Sequence, residues 1–332
     1  MKIFLVCKSE LGENWSNSIS SQFNHIKKNY SDQYDIQYIK FNNNILHNIK
    51  LTQQIYQYPY DNIVFINHTI CLWPFYIIHY LNKKSTIYSL LHEGEIAFKR
   101  KVDLTSFKNF ISLLLRSSIM YHRIPQSIVK KTYVLTNFQK EILKLKRCEV
   151  GNFLGVDEMK TSLIQSPSIS IGSPMASIKI FFPFNPKRKE KGFELLDTLL
   201  NKFEIVYPNN TPNTLMANLY RDCDIVIIPS IELETYSLAF IEALAMNKPI
   251  VASINLGIIK NLLNEMRKET LASMGVYIFS PGEDNIHEAI SSLLHLKEIR
   301  TREIYNNYAL SSKSAAIRLF EDIISDYETK NQ

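Results

Sequence analysis

Short apolar runs recur along this chain of 332 residues, with amphipathic stretches between them. Runs at residues 1–7, 34–41, 62–67, 85–91 and 132–136 are rich in branched and aromatic residues and read as buried strands. Residues 17–29, 72–82 and 107–121 space their apolar positions three and four apart, the period of a helix with one buried face. Residues 159–177 break this rhythm, and the Ser, Pro and Gly cluster at 165–174 marks a linker. A second set then begins, with strands at 178–182, 203–207, 225–228, 249–253 and 275–279 and helices at 192–201, 214–221, 236–246, 258–266 and 283–296. Strand–helix alternation predicts an α/β protein with parallel sheets and crossover helices. The pattern divides the chain into a first domain at 1–158, a linker at 159–177, a second domain at 178–310 and a final segment at 311–332 with a helix over 313–327.

Composition agrees with two globular cores, since 45% of residues are hydrophobic. The opening residues 1–8 hold an apolar run of five, too short for a signal-peptide core or a membrane span, so a cytoplasmic protein is expected. Four cysteines, Cys7, Cys71, Cys148 and Cys223, lie far apart and show no metal or disulfide spacing. Charge is uneven: residues 1–160 carry 21 Lys and Arg against 12 Asp and Glu, whereas residues 161–332 carry 17 against 20. Part of the excess lies in Lys99, Arg100 and Lys101 and along the apolar stretch 107–123, the pattern of a chain resting on an anionic membrane face or of a core helix with a solvated rim. No nucleic-acid-binding motif accompanies it. The chain also lacks dinucleotide-binding, Walker, zinc-protease and nucleophile-elbow motifs.

Glu234 and Glu242 are the residues with the most chemistry in them. The apolar run 225–228 ends in Pro229 and Ser230, which suits a buried strand leading into a loop at the carboxyl edge of a sheet. Glu234 lies in that loop, and Glu242 lies two turns into the helix after it. Leu238, Phe240, Ile241, Ala243, Leu244 and Ala245 make that helix apolar over most of its circumference, so Glu242 needs a partner. A second group of charges, Lys187, Arg188, Lys189 and Lys191, follows the strand at 178–182, where cations beside a helix start can meet a diphosphate. Asp222 and Asp224 spell a D-x-D, but directly before an apolar strand a packing role is the cheaper reading, and no metal is expected.

The stretch from Pro229 to Ala252 resembles the E-x7-E signature of retaining glycosyltransferases of the two-domain GT-B fold, most closely family 4. Glu234, Glu242-Ala243, Ala245 and Pro249-Ile250-Val251-Ala252 match; Tyr236-Ser237-Leu238 stand in place of an aromatic-Gly-Leu turn. Gly155-Val156-Asp157, the basic stretch ending in Lys191-Gly192, Leu219-Tyr220 before Asp224, and Ser280-Pro281-Gly282 resemble further motifs of that family in the right order. The resemblance implies two Rossmann-like domains facing a central cleft, with a nucleotide-sugar donor on the second, the acceptor on the first, and a last helix crossing back to the first.

It also implies roles. Glu234 would contact the transferred sugar and Glu242 the ribose; Arg188 and Lys191, with Lys187 beside them, would grip the diphosphate; Tyr236, Ser237 and Leu238 would line the donor site. His92, at the end of a strand, would face the cleft and touch the donor. Gly12, Glu13, His68 and Glu93 fall on the acceptor side. The expected reaction is transfer of a sugar to a glycan or lipid-linked acceptor with retention, without metal or other cofactor, in bacterial surface-polysaccharide synthesis at the cytoplasmic face of the inner membrane. The alternative is a catalytically inactive GT-B-like partner subunit, because Ser237 and Ile259-Lys260 depart from the family wording.

Overall fold

The computed structural model describes residues 1–7, 18–42, 44–58, 61–67, 74–78, 85–91, 127–143, 145, 147–157, 168–171 and 178–331. They divide into two compact units, one made of residues up to Leu154 together with those from Ser312 onward, the other Gly155–Ser311. Gly12, Glu13, His68, His92, Glu93, Cys71, residues 98–101 and the stretch 107–123 lie outside the described residues.

The first unit is a six-stranded parallel sheet in the order β2-β1-β3-β4-β5-β6. Its strands are β1 (Lys2–Cys7), β2 (Asp35–Lys40), β3 (Asn62–Ile66), β4 (Ser85–Leu91), β5 (Lys131–Val134) and β6 (Cys148–Val150). Helix α1 (Ser18–Tyr30) follows β1, α2 (Ile45–Tyr56) follows β2, residues 74–78 are helical, and α3 (Asn137–Leu143) follows β5. Phe4, Val6, Val64, Ile66 and Ile87 from the strands pack with Phe41, Ile55, Tyr56 and Phe75 into one core. Two elements here were not expected. Helix α2 begins where Asn44 accepts hydrogen bonds from the amides of Leu46 and His47, a side-chain cap that offsets two unpaired donors. Strand β6 has only three residues.

The second unit holds β7 (Ser168–Ile171), β8 (Lys179–Phe181), β9 (Glu204–Pro208), β10 (Ile225–Ile228), β11 (Ile250–Ser253) and β12 (Val276–Phe279), in the order β12-β11-β10-β8-β9-β7. All pair in parallel except β7, which runs antiparallel to β9 at the edge. The stretch read as linker, 159–177, therefore contributes a strand: Ile169 pairs with Tyr207, and alternating Ser and Ile suit an edge. Helices α4 (Asn213–Asp222), α5 (Leu238–Ala245), α6 (Gly257–Leu263), α7 (Lys268–Ser273), α8 (Ile286–Leu294) and α9 (Thr301–Asn307) complete the unit. Residues 192–201, expected as an α-helix, form 3-10 turns over Phe193–Leu199 instead. Leu196 and Leu199, the two buried side chains of that segment, are three residues apart, and a repeat of three stacks them on one side.

Helix α10 (Ser312–Asn331) packs in the first unit. Its Phe320 meets Tyr30 of α1 at 4.3 Å between ring centroids. One turn apart on α10, Asp322 takes hydrogen bonds from Lys131 and Tyr133, both at 2.6 Å, and Asp326 takes one from Tyr88 at 2.8 Å beside Lys130 at 2.7 Å. The beginning and end of the second unit adjoin: the Val156 amide donates to the Leu310 carbonyl at 3.0 Å, and the Tyr305 hydroxyl donates to the Val156 carbonyl at 2.7 Å. A side chain at Gly155 would run into that Leu310 carbonyl.

Candidate active site

In the second sheet β8 lies between β9 and β10, so the chain leaves β8 to one side, returns, and continues on the other. A reversal of this kind opens a crevice at the carboxyl ends of the two strands beside it. The loop after β8 carries the cations, and the loop after β10 carries Glu234. Both loops thus issue from the strands that flank the reversal.

Backbone contacts knit them together. The amides of Ile231 and Glu232 donate to the Glu190 carbonyl, at 3.1 and 3.4 Å. Gly192 adopts φ +74°, a left-handed conformation that favours glycine, and a Cβ there would strike the Pro229 carbonyl. The glycine of the Lys-Gly pair therefore lets the first loop lie against the second.

The result is an ion pair. Lys191 Nζ stands 2.6 Å from Glu234 Oε1, with the two side chains 8% and 18% exposed. The Ser230 hydroxyl hydrogen-bonds the same carboxylate oxygen, and the Phe184 ring lies 4.4 Å beneath the ammonium. Burial lowers the Lys191 pKa; Glu234 pushes it up and Arg188 pulls it down, and the net is below the ordinary 10.5. One carboxylate does not fully offset the desolvation of this cation, so a further anion would be welcome there.

Glu234 is fixed through its backbone as well. Its amide donates to the Asn255 carbonyl at 2.9 Å, and its carbonyl accepts from Gly257, also at 2.9 Å. Asn255 in turn donates through its side chain to the carbonyls of Ser230 and Ile231, at 3.2 and 3.0 Å, while Ser253 Oγ donates to the Ser230 carbonyl at 2.7 Å. The loop is tied at both ends to β11 and to the turn that joins β11 to α6. Ser230 marks only the end of the strand in the sequence and Asn255 is not singled out there, because each acts through backbone groups or through Glu234.

Helix α5 begins at Leu238, with Ser237 extended before it. Ser237 is buried, and among the described residues its Oγ has no hydrogen-bond partner and no side-chain cap closes this helix start. Tyr236 is buried and Leu238 half-buried. Glu242, one turn beyond Leu238, is reached by Tyr220 of α4, whose hydroxyl donates to Glu242 Oε2 at 2.8 Å. Burial pushes the Glu242 pKa above the ordinary 4.5, and the Tyr220 hydrogen bond opposes that.

The other cations face outward. Arg188 is 51% exposed and pairs with Glu190 at 2.9 Å; Lys187 and Lys189 are exposed. Of the expected diphosphate ligands, Lys191 is the buried one, paired with Glu234, with Arg188 near enough to act on its pKa. The D-x-D residues have structural partners: Asp222 accepts from Arg221 at 2.6 Å and Asp224 from the Lys179 amide at 2.7 Å. Among the described residues no cluster of His, Cys, Asp and Glu could hold a metal ion, and no helix is long and apolar enough to cross a membrane.

Two Rossmann-like sheets with this site on the second define the GT-B fold of glycosyltransferases, and solved structures bear that out. The fold is similar to Anabaena HepE in complex with UDP, at 13% identity and TM-score 0.65 over 98% of this chain and 100% of that one. It is similar to trehalose-6-phosphate synthase OtsA, at 12% identity and TM-score 0.65 over 99% of each chain. A glycosyltransferase from Rickettsia africae matches at 16% identity and TM-score 0.55, over 96% and 97%. Residues 185–310, within the second unit, match the family described as Glycosyl transferases group 1. No curated protein matches the chain in sequence.

Proposed function

We propose that the protein transfers a sugar from a nucleotide-sugar donor to an acceptor hydroxyl with retention of configuration. The observation that carries this reading is the meeting of Lys191 and Glu234 at 2.6 Å, on loops from the two strands flanking the sheet reversal, inside the unit that matches the family. HepE, of similar fold, was solved with UDP and with UDP-glucose, which favours a donor of that class.

In this scheme the diphosphate lies against Lys191 and Arg188. An ammonium has three N–H donors, so Lys191 keeps Glu234 and still takes phosphate oxygens. As the bond between the anomeric carbon and phosphate oxygen breaks, negative charge grows on the leaving diphosphate, and a fixed cation stabilises that transition state more than the ground state. Glu234 orients the sugar ring, Glu242 accepts the ribose hydroxyls, and the acceptor hydroxyl attacks from the face the diphosphate leaves, giving its proton to the departing phosphate. The first unit takes the acceptor, a glycan or a lipid-linked one in bacterial surface-polysaccharide synthesis. The +9 balance of residues 1–160 suits an anionic membrane face.

The test is a melting-temperature panel of UDP-, GDP- and ADP-sugars, followed by turnover of the stabilising donor by wild type and Glu234→Ala. Stabilisation by one donor, with turnover lost in the variant, supports the reading. No stabilisation by any donor removes it, and binding without any turnover leaves the inactive partner subunit.

A further inference from the structure

Tyr220 is fully buried on α4, and its ring packs edge-on against Phe181 of β8, with centroids 4.9 Å apart. Its hydroxyl lies between two acceptors, Glu242 Oε2 at 2.8 Å and the Ala239 carbonyl at 3.2 Å. A hydroxyl has one hydrogen to give, and an ionised carboxylate is the stronger acceptor. We infer that Tyr220 is a positioning residue for the donor: it fixes one oxygen of Glu242 and so turns the other toward the ribose diol. This inference rests on the ribose role proposed above for Glu242.

Three observations support it. Among the described residues Glu242 Oε1 has no hydrogen bond, so one oxygen is occupied and one is available. Glu242 shares a helix line with Leu238 and Met246, the half-buried positions of a segment whose other side chains are buried, so this stripe is where the helix can meet a ligand. Burial raises the Tyr220 pKa well above 10.0, with the Glu242 charge adding to it, so the hydroxyl remains a donor throughout the working range of pH. A carboxylate free to rotate about its terminal torsion would have to be ordered on binding; one held by Tyr220 is ordered beforehand.

The experiment is a ligand cycle by calorimetry on the full chain. UDP, GDP and ADP are each compared with their 2′,3′-dideoxy forms, using wild type, Glu242→Ala and Tyr220→Phe, a change that keeps the ring and its packing. Wild type should favour the ribose form, and Tyr220→Phe should lower that preference about tenfold, with the dideoxy affinity within about twofold of wild type. Glu242→Ala should abolish the preference. If Glu242→Ala leaves the preference unchanged, or no nucleotide binds, the ribose role fails and this inference with it. If Glu242→Ala removes the preference and Tyr220→Phe does not, the positioning role alone is overturned. Equal losses for ribose and dideoxy forms in Tyr220→Phe overturn it too, because they show packing without positioning.

Discussion

Lys191 and Glu234, forty-three positions apart in the chain, share a hydrogen at 2.6 Å because Gly192 lets one loop rest on the Pro229 carbonyl of the other. Each is the other's counter-ion before any ligand arrives. Removing Glu234 therefore deletes the group proposed to orient the sugar and leaves a desolvated ammonium behind. Glu234→Ala should lower kcat/KM by at least about 100-fold, with circular dichroism unchanged. Activity within about threefold of wild type would show that the pair is structural.

The lowered pKa of Lys191 gives a pH signature. Its ammonium is lost at lower pH than an ordinary lysine's, so affinity for a nucleoside diphosphate should fall on the alkaline side below 10.5. Lys191→Arg, whose guanidinium stays charged, should not show that fall. Calorimetric titration of UDP from neutral to alkaline pH reads the difference directly.

Gly192→Ala combines an unfavourable φ of +74° with a clash against the Pro229 carbonyl. The expected loss is about 1–3 kcal/mol of unfolding free energy, measured by urea denaturation. Donor affinity should fall with it, since the two loops can no longer lie against each other.

Glu242 sets a slope of stability with pH. Its folded pKa lies above 4.5, so between that value and the folded one the native state holds more protons than the unfolded chain. Stability from this group is greatest in acid and is lost as pH rises through that window. Glu242→Gln removes the titrating group, so its stability relative to wild type should increase from pH 4 to pH 7. A constant difference across that range would mean the carboxyl is well solvated.

At the other end of the chain the sign is opposite. Burial tends to raise the Asp326 pKa, but hydrogen bonds from Lys130 and Tyr88 and the charges of Lys130 and Lys131 outweigh it, and the net lies below 3.8. Its contribution is present above 3.8 and disappears as pH falls through the folded value. Asp326→Asn should cost about 1 kcal/mol at neutral pH and nothing in strong acid, by thermal melts at both pH values.

The parallel strands of the second sheet were legible because buried parallel strands are apolar on both faces, as Ile225–Ile228 shows. Glu242 drew notice for the converse reason, a charge in an apolar helix that needs a partner, whereas Lys191 drew it as the end of a basic run before a glycine and Glu234 as the loop residue ahead of that helix. Helix α2 was not, since Leu46 is exposed and its Asn, His and Gln residues hide the narrow stripe through Ile49 and Ile55; the Asn44 cap was the available signal. Strand β7 was hidden by its Ser, Pro and Gly setting, which local composition assigns to a linker and only pairing with β9 overrides. Tyr220 stood in a recognised motif, yet its task depends on a carboxylate 22 residues away that only folding brings near.

The Val156–Leu310 hydrogen bond has a topological corollary. Entrance and exit of the second unit are stitched to each other, so residues 155–311 are an insert whose two mouths already meet. Such a lobe can be exchanged between relatives as one cassette, without rethreading the chain that receives it.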